Sequence, residues 1–535
     1  MQRDHDSTCP VCFEHNDDMA PLDPCRHRMC PPCFHRWRAA KLPEAPTCPV
    51  CRATVAGLLD TAIEDRVDLQ LSRFRKWRDD AGLVDQPHQE HGVRWALRHE
   101  ARSDGVCGAR SGGLICDEMG LGKTIIAVAL IVSNFRTRTL ILLPPSLIPQ
   151  WVDVFKRICH HVPLVFHGRA KRYIDADTLA KAPIVIASYY TTAAAKKQLL
   201  TPLHHLHWGR LIMDEAHHVR TRKTLYNGVM ALQTDLTWML TGTPLQNSET
   251  DLTAYWHILG VSQDITRTMY AQDRHRLRDI IASRILRRTK DSIDMDIPPV
   301  VHETVIVPWD DHDELHFAAE LHSQLSFSGL HLDKVSPCAR FLTRNSLAAL
   351  VRCRQACILP SAIDTHIRFH AEATRSGPSA APSATSKLRA VLAHILASTH
   401  TGRKLVFCHY TLEIDFLLAH ARAAGLSAHA IDGRTHPSHR HSLIALAPDI
   451  LILQIRTASE GLNLQAFSHV YFVSPHWNPA LERQAIARAH RFGQTRTVHA
   501  TRFIMDHILT HHTSLDAHAA HSQTLKLALA HSLNL

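Results

Sequence analysis

Asp117-Glu118-Met119-Gly120-Leu121-Gly122-Lys123-Thr124 is the stretch on which the reading of this chain turns. Ahead of it, Leu114-Ile115-Cys116 has the apolar character of a short buried strand. Behind it, residues 125–132 form an apolar run without Gly or Pro, which predicts a helix. Strand, glycine loop, Lys-Thr and helix is the arrangement that wraps a triphosphate. Gly120 and Gly122 let backbone N–H groups turn inward, Lys123 reaches the β/γ-phosphates, and Thr124 offers a hydroxyl to Mg²⁺. The generic pattern has Gly where this chain has Asp117. The stretch from Asp117 through Glu118, Met119 and Leu121 to Thr124 is the candidate ATP cradle.

Downstream, apolar runs alternate with helical patterns, which predicts a parallel, doubly wound sheet. Leu140-Ile141-Leu142-Leu143, Ile184-Val185-Ile186-Ala187-Ser188-Tyr189 and Arg210-Leu211-Ile212-Met213 are expected strands, and residues 147–159 an amphipathic helix. The last of these strands runs directly into Asp214-Glu215-Ala216-His217. Two adjacent carboxylates at the C-terminal end of a buried strand are where α/β ATPases place metal and water chemistry. Asp214 would hold Mg²⁺ through its water shell, and Glu215 would polarise the attacking water. Gln89, upstream, has a side chain that both donates to and accepts from an adenine edge.

A second set of alternating elements begins near residue 387. Leu405-Val406-Phe407-Cys408, residues 428–433, Ile450-Leu451-Ile452-Leu453-Gln454 and Val470-Tyr471-Phe472-Val473 are expected strands. Trp477-Asn478-Pro479 introduces an expected helix over residues 480–492, on which Arg488 and Arg491, three apart, share one face. Between the two sets, residues 361–386 have the Ser/Pro/Ala composition of a flexible linker. Residues 53–84 place Ile63, Val67, Leu69, Leu71, Phe74 and Trp77 near helical spacing, either as a connector or as a helix packed on a lobe.

The N-terminus carries different chemistry. Seven of the 14 Cys fall in the first 51 residues, as Cys9-x2-Cys12, Cys25-x-His27, Cys30-x2-Cys33 and Cys48-x2-Cys51. Four ligand pairs make two tetrahedral sites of the kind Zn²⁺ prefers, and a segment this short draws its folding energy from the metal. His35 is a spare imidazole at the wrong spacing. The remaining Cys lie mainly in apolar segments, which predicts a reducing, intracellular setting.

The formal net charge of +10 favours a polyanionic partner. No apolar run approaches the ~18 residues of a membrane span, and the first residues lack a secretory pattern. The 42 His are scattered through the chain.

Taken in order, these stretches resemble the Swi/Snf family of superfamily-two DNA translocases, whose phosphate loop habitually begins with Asp, as at Asp117. The resemblance includes the Gln89 segment, Pro144-Pro145-Ser146, Asp214 to His217, Thr241-Gly242-Thr243-Pro244-Leu245-Gln246-Asn247 and Leu286-Arg287-Arg288-Thr289-Lys290. It resumes at Leu350-Val351-Arg352 and covers the second lobe from about residue 387 to 503, departing at Ala458, Ser459 and Glu460 where relatives carry more Gly. It implies an α/β fold of two RecA-like parallel-sheet lobes with ATP and Mg²⁺ between them. It further implies duplex DNA as partner, with translocation rather than strand separation. Gln484, Arg488 and Arg491 match the family's Gln-x3-Arg-x2-Arg pattern, which implies arginine fingers aimed at the γ-phosphate.

The cysteine module resembles the RING finger, a small two-zinc domain. That resemblance implies one zinc on Cys9, Cys12, Cys30 and Cys33 and the other on Cys25, His27, Cys48 and Cys51. It also implies a ubiquitin-conjugating enzyme recruited through Val11, Trp37 and Pro49, with Arg52 bracing ubiquitin. The expected organisation is a RING at 1–55, a helical connector at 56–84, a first lobe at 85–300, an inter-lobe helical region and linker at 301–385, and a second lobe with a helical tail at 386–535. Relatives that join these parts usually carry the finger between the lobes. The expected activity is ATP-driven translocation with ubiquitin ligation, remodelling nucleosomes or other DNA-bound proteins in the nucleus or at a viral replication site. The alternative is a ubiquitin ligase or scaffold whose motor fold serves to stay on DNA.

Overall fold

The computed structural model describes residues 9–12, 19–23, 25, 27–30, 33–34, 36–37, 47–55, 57–58, 61–103, 111–193, 201–220, 223–245, 249–271, 280–293, 295, 297–328, 330, 332, 334–368, 385–397, 402–455, 462–509 and 512–532. His35, Gln246, Asn247, Ala458, Ser459, Glu460 and most of the expected linker lie outside the described residues.

Among these residues, seven parallel strands build the first lobe. Their order is Ile285–Leu286, Ser111–Ile115, Gln233–Leu240, His207–Asp214, Thr139–Leu143, Ile184–Ser188, Leu164–Phe166. The central strands are buried on both faces, as their unbroken apolar runs require when helices cover a parallel sheet. One strand carries a buried charge. Arg210 is fully buried, and its guanidinium donates to Glu100 at 2.8 and 2.6 Å, while Asn134 and the Trp238 indole donate to the same carboxylate. A buried ion pair needs such additional hydrogen bonds to offset its desolvation.

The helix Thr61–Asp80 resolves the connector question: it packs into the first lobe. Val67, Leu71 and Phe74 are buried in the core that contains the helix Lys123–Ser133, and the Trp77 indole donates to Ile158 O at 2.8 Å. Leu69, on the opposite face, is exposed. Glu64 pairs with Arg98, and Arg75 with Glu90, so the outer edge is tied to the helix Pro87–Ser103.

Six parallel strands form the second lobe, ordered Val300–Val307, Val498–Met505, Phe467–Phe472, Arg403–Cys408, Ile450–Gln454, Ala428–Ile431. Val300–Val307 falls in the expected inter-lobe region, yet it pairs along its whole length with Val498–Met505. The helices Pro337–Leu342 and Ser346–Ile358 contribute Ala339, Leu342, Cys353 and Cys357 to the core beneath Val406 and Tyr471, so they too belong physically to this lobe. Residues 287–293 and 297–299 lie between the last strand of the first lobe and the edge strand of the second.

The N-terminal module folds around a small separate core of Cys9, Met19, Leu22, Met29, Phe34 and Val55. A short antiparallel sheet of Arg28–Met29, Ala20–Asp23 and Gly57–Leu58 frames it.

Candidate active site

The loop between Ser111–Ile115 and Lys123–Ser133 takes the conformation its glycines permit, with Gly120 at φ 94° and Gly122 at φ 80°. Gly122 caps the helix Lys123–Ser133, and no side chain bonds there. The first N–H groups of a helix have no acceptor within it, so this end presents donors to an anion. Lys123 Nζ donates to Asp117 O at 2.7 Å and Glu118 O at 3.3 Å. Burial lowers its pKa, opposed by the charges of Glu215, Asp117 and Asp214. Thr124 follows, half-buried, in the first turn.

The carboxylates of Asp117 and Glu118 are engaged by Arg288 and Lys290. Asp117 is fully buried against Arg288, whose Nε donates to Oδ1 at 3.0 Å and whose Nη1 also reaches His88 O. Glu118 N donates to Arg288 O at 2.8 Å, and its carboxylate accepts from Lys290 N at 2.9 Å. Asp where the generic loop has Gly thus fastens the loop to the segment that follows the strand Ile285–Leu286. Leu121 is buried, and its carbonyl accepts from a ring nitrogen of His88 at 3.0 Å. Met119 lies where a Cβ on Gly242 would meet it at 2.7 Å. Gln89 packs on the loop so closely that a Cβ on Gly122 would stand 2.4 Å from its amide nitrogen. A cavity of about 270 Å³ opens there, lined by Gln86, Gln89, Gly120, Ile125, Met295 and Phe492.

The carboxylate pair sits where strand order predicts. Asp214 ends its strand; the Trp151 indole donates to Oδ2 at 2.7 Å and Glu215 N to Oδ1 at 2.9 Å. Burial raises the pKa of Asp214, and the neighbouring Glu215 charge adds to the rise. Burial also opposes ionisation of Glu215, yet its pKa falls, because His217, Lys123 and Arg488 surround it. His217 Nδ1 stands 3.2 Å from Glu215 Oε2. Glu215 has φ 50°, a conformation costing a non-glycine residue about 1–3 kcal/mol that persists only where surroundings impose it. Here Glu215 and Gln484 line one cavity of about 210 Å³ with Tyr190 and His217.

The second lobe supplies the other wall. The helix Pro479–Ala489 carries Gln484 and Arg488. It ends three residues earlier than expected, so Arg491 lies beyond it and the shared helical face is corrected. His490 leaves the helix at φ −90°, ψ 81°, held by Lys290 Nζ on its carbonyl at 2.6 Å and by its own ring on Pro298 O at 2.8 Å. Arg491 still reaches the site from this turn: its Cβ lies 3.5 Å from the position of a Cβ on Gly120. Burial lowers the pKa of Arg488, with Glu215 and Asp214 acting against it. The lobes are therefore closed on one another at the phosphate loop. Composition and spacing gave no sign of Trp151 or Lys290 at this site; Lys290 lay inside a recognised stretch, but Trp151 is one apolar residue of an amphipathic helix.

In the N-terminal module the ligand atoms of Cys9, Cys12, Cys30 and Cys33 lie within 4.8 Å of one another, as do those of Cys25, His27, Cys48 and Cys51. Thiolate-rich sets of four with one imidazole fit Zn²⁺. His27 Nδ1 is buried with no hydrogen-bond partner among the described residues, as a ligand nitrogen would be. Of the expected contact residues, Val11, Trp37 and Pro49 are half-buried and Arg52 is exposed. The Trp37 indole donates to Thr47 O at 3.1 Å.

Residues 88–362, just over half of the sequence, match the SNF2-related domain. The chain belongs to the SNF2-related family. Residues 386–493 match the helicase conserved C-terminal domain, and residues 5–58 the C3HC4-type zinc finger, or RING finger. The chain is thus a Swi/Snf-type ATPase core with an N-terminal RING finger. It is similar to the "Probable global transactivator" of Orgyia pseudotsugata multicapsid polyhedrosis virus, 28% identical over 80% of this chain and 88% of that protein. DNA repair protein RAD5B of Arabidopsis thaliana is 23% identical, over 74% of this chain and 44% of its own length. Mouse chromodomain-helicase-DNA-binding protein 6 is 25% identical over 81% of this chain, which spans only 17% of that larger protein. No helix among the described residues is long and apolar enough to cross a membrane.

Proposed function

We propose that this SNF2-related chain is an ATP-driven translocase on duplex DNA that also ligates ubiquitin, and that it remodels DNA-bound proteins in the nucleus or at a viral replication site. The observation that carries the motor reading is the approach of the second lobe to the phosphate loop, with Arg491 packed against Gly120 and Arg488 beside Glu215 and Asp214. Arginines from one lobe and a phosphate loop from the other bind one triphosphate only while the lobes are closed, so hydrolysis and lobe movement are coupled.

In this reading Gln89 meets the adenine edge, and Lys123 with the start of its helix holds the β/γ-phosphates. Mg²⁺ on Thr124 and Asp214 would neutralise phosphate charge. Glu215, kept ionised by His217 and Lys123, orients the attacking water by accepting its proton in a hydrogen bond. Arg488 and Arg491 stabilise charge that develops on the transferring phosphoryl group, an effect worth about 10³–10⁵ in rate. Contacts to DNA phosphates account for the excess of cationic residues and make binding salt-sensitive. In the RING, Val11, Trp37 and Pro49 offer the anchor for a ubiquitin-conjugating enzyme, and exposed Arg52 the cation for ubiquitin.

The test is ATP hydrolysis measured in parallel with duplex DNA, single-stranded DNA and RNA, and with Lys123→Ala and Glu215→Gln. Duplex-stimulated turnover that both substitutions abolish, with DNA binding kept, is the expected result. Turnover indifferent to every nucleic acid would refute translocation, and the scaffold reading would take its place.

A further inference from the structure

We propose that Gln523, on the C-terminal helix, is a positioning residue for the lobe-crossing arginines and acts through Glu482. The inference rests on the ATPase reading above. It concerns a helix, Leu515–Ser532, that lies beyond the matched helicase domain.

The start of this helix is fixed in the core of the second lobe. Asp516 pairs with Lys387, both almost wholly buried, and Lys387 Nζ also donates to Ser474 Oγ at 2.6 Å. Leu515 N donates to His322 Nε2 at 3.1 Å. Two turns on, Gln523 is 2% exposed, and its amide donates to Glu482 Oε1 at 2.7 Å and to His476 O. One turn further, Lys526 Nζ donates to Trp477 O at 3.0 Å. Ser474, His476 and Trp477 belong to the loop that feeds the arginine-bearing helix, so the C-terminal helix grips that loop directly at His476 and Trp477 and, through the Lys387 that pairs with Asp516, at Ser474.

Glu482 is the pivot. It sits in the first turn of Pro479–Ala489, is 2% exposed, and accepts from His476 N at 2.7 Å and Arg502 Nε at 3.1 Å as well as from Gln523. Arg502 supplies the countercharge that a buried carboxylate needs. Gln523 adds no charge; it fixes direction. A primary amide has two hydrogens, so one nitrogen can tie a side chain and a backbone carbonyl together. Arg488 lies six residues beyond Glu482, about 9 Å along the helix axis. A tilt of roughly 6° at the base then displaces Arg488 by about 1 Å, and displacements of that size at a catalytic group cost up to about 10²-fold in rate. Lys526 also feels the charge of Asp251 in the first lobe, the carboxylate that pairs with Arg220 at 3.3 Å just after the Asp214-Glu215 turn.

The experiment compares Gln523→Met, of similar volume but without donors, with the unaltered full chain. It measures kcat and KM for ATP hydrolysis with duplex DNA, binding of a non-hydrolysable ATP analogue, and melting temperature, in the unaltered and the Arg488→Ala backgrounds. The expected result is kcat lowered about 10- to 100-fold with KM and analogue binding within about twofold. In the Arg488→Ala background, Gln523→Met should add little or no further loss. An unchanged kcat, or the same fold-loss in both backgrounds, overturns the inference. So does loss of analogue binding, which marks a general defect in folding. Absence of hydrolysis by the unaltered chain instead removes the ATPase reading on which the inference rests.

Discussion

Arg288→Met should destabilise the first lobe by about 3–5 kcal/mol, the cost of leaving a buried carboxylate without its cation. Asp117 is 0% exposed and Arg288 9%, so water can hydrate neither group in place of its partner. Lys123 does not substitute, because its ammonium bonds the carbonyl of Asp117 rather than the carboxylate. The substitution also removes a donor from His88 O. Asp117→Leu alone leaves a buried guanidinium, but His88 O still accepts from it, so the loss should be smaller. The double substitution leaves no charge at all and should recover about 2 kcal/mol or more relative to the sum of the singles. Urea unfolding followed by tryptophan fluorescence suits the question, because Trp77, Trp95, Trp151, Trp208, Trp238 and Trp256, of nine in the chain, lie in the first lobe. That transition should move to lower urea in Arg288→Met and return part of the way in the double variant. If the two single losses simply add, within about 0.5 kcal/mol, the pair does not fasten the loop and the account given for Asp117 is wrong.

Arg488→Ala and Arg491→Ala should each slow turnover by orders of magnitude while nucleotide affinity stays nearly constant; parallel turnover and binding measurements check this, and near-normal turnover in both would misplace the finger. His322 is buried with its pKa lowered to about 4 by that burial. Between about pH 6.5 and 4 the unfolded chain therefore binds a proton that the native chain excludes, and the second lobe loses up to roughly 3 kcal/mol as pH falls through that window. In His322→Gln, melting temperature should depend less steeply on pH over the same window. Zinc analysis of the full chain should give two ions; strong chelation should unfold the N-terminal module and abolish discharge of a ubiquitin-loaded conjugating enzyme while leaving ATP hydrolysis in place.

What was legible in the sequence was local. Gly120, Gly122, Lys123 and Thr124 are contiguous, Asp214 and Glu215 adjoin a strand, and the zinc ligands pair at fixed spacing, so each announced its chemistry within a few residues. Relations between distant segments were not legible. Asp117 meets Arg288 across 171 residues, and Gln523 meets Glu482 across 41. Residues 301–307 fell in the expected inter-lobe helical region, and nothing in those residues says that the strand Val300–Val307 has its partner at Val498–Met505. The expected helix over residues 480–492 ran too far for a related reason. The helix stops where the Gln494 amide donates to Ala489 O and Gly493 turns at φ 91°, and Lys290 and Pro298, from the crossing segment, hold His490 outside it.

That crossing segment has a mechanical consequence. Lys290 and Pro298 hold the turn that bears Arg491, and the chain then enters the edge strand Val300–Val307, so under the proposed motor reading the fulcrum of the two lobes would stand beside the phosphate loop. Ala428–Ile431, the opposite edge, lies five strand spacings away, about 24 Å. A rotation of roughly 10° about the near edge would swing the far edge by about 4 Å, slightly more than the ~3.4 Å rise of a base-pair step. Movements near the fulcrum are a small fraction of this. Under the proposed motor reading the second lobe would act as a long-armed lever loaded at its short end, where sub-ångström changes at a phosphate would be returned as strides at the rim.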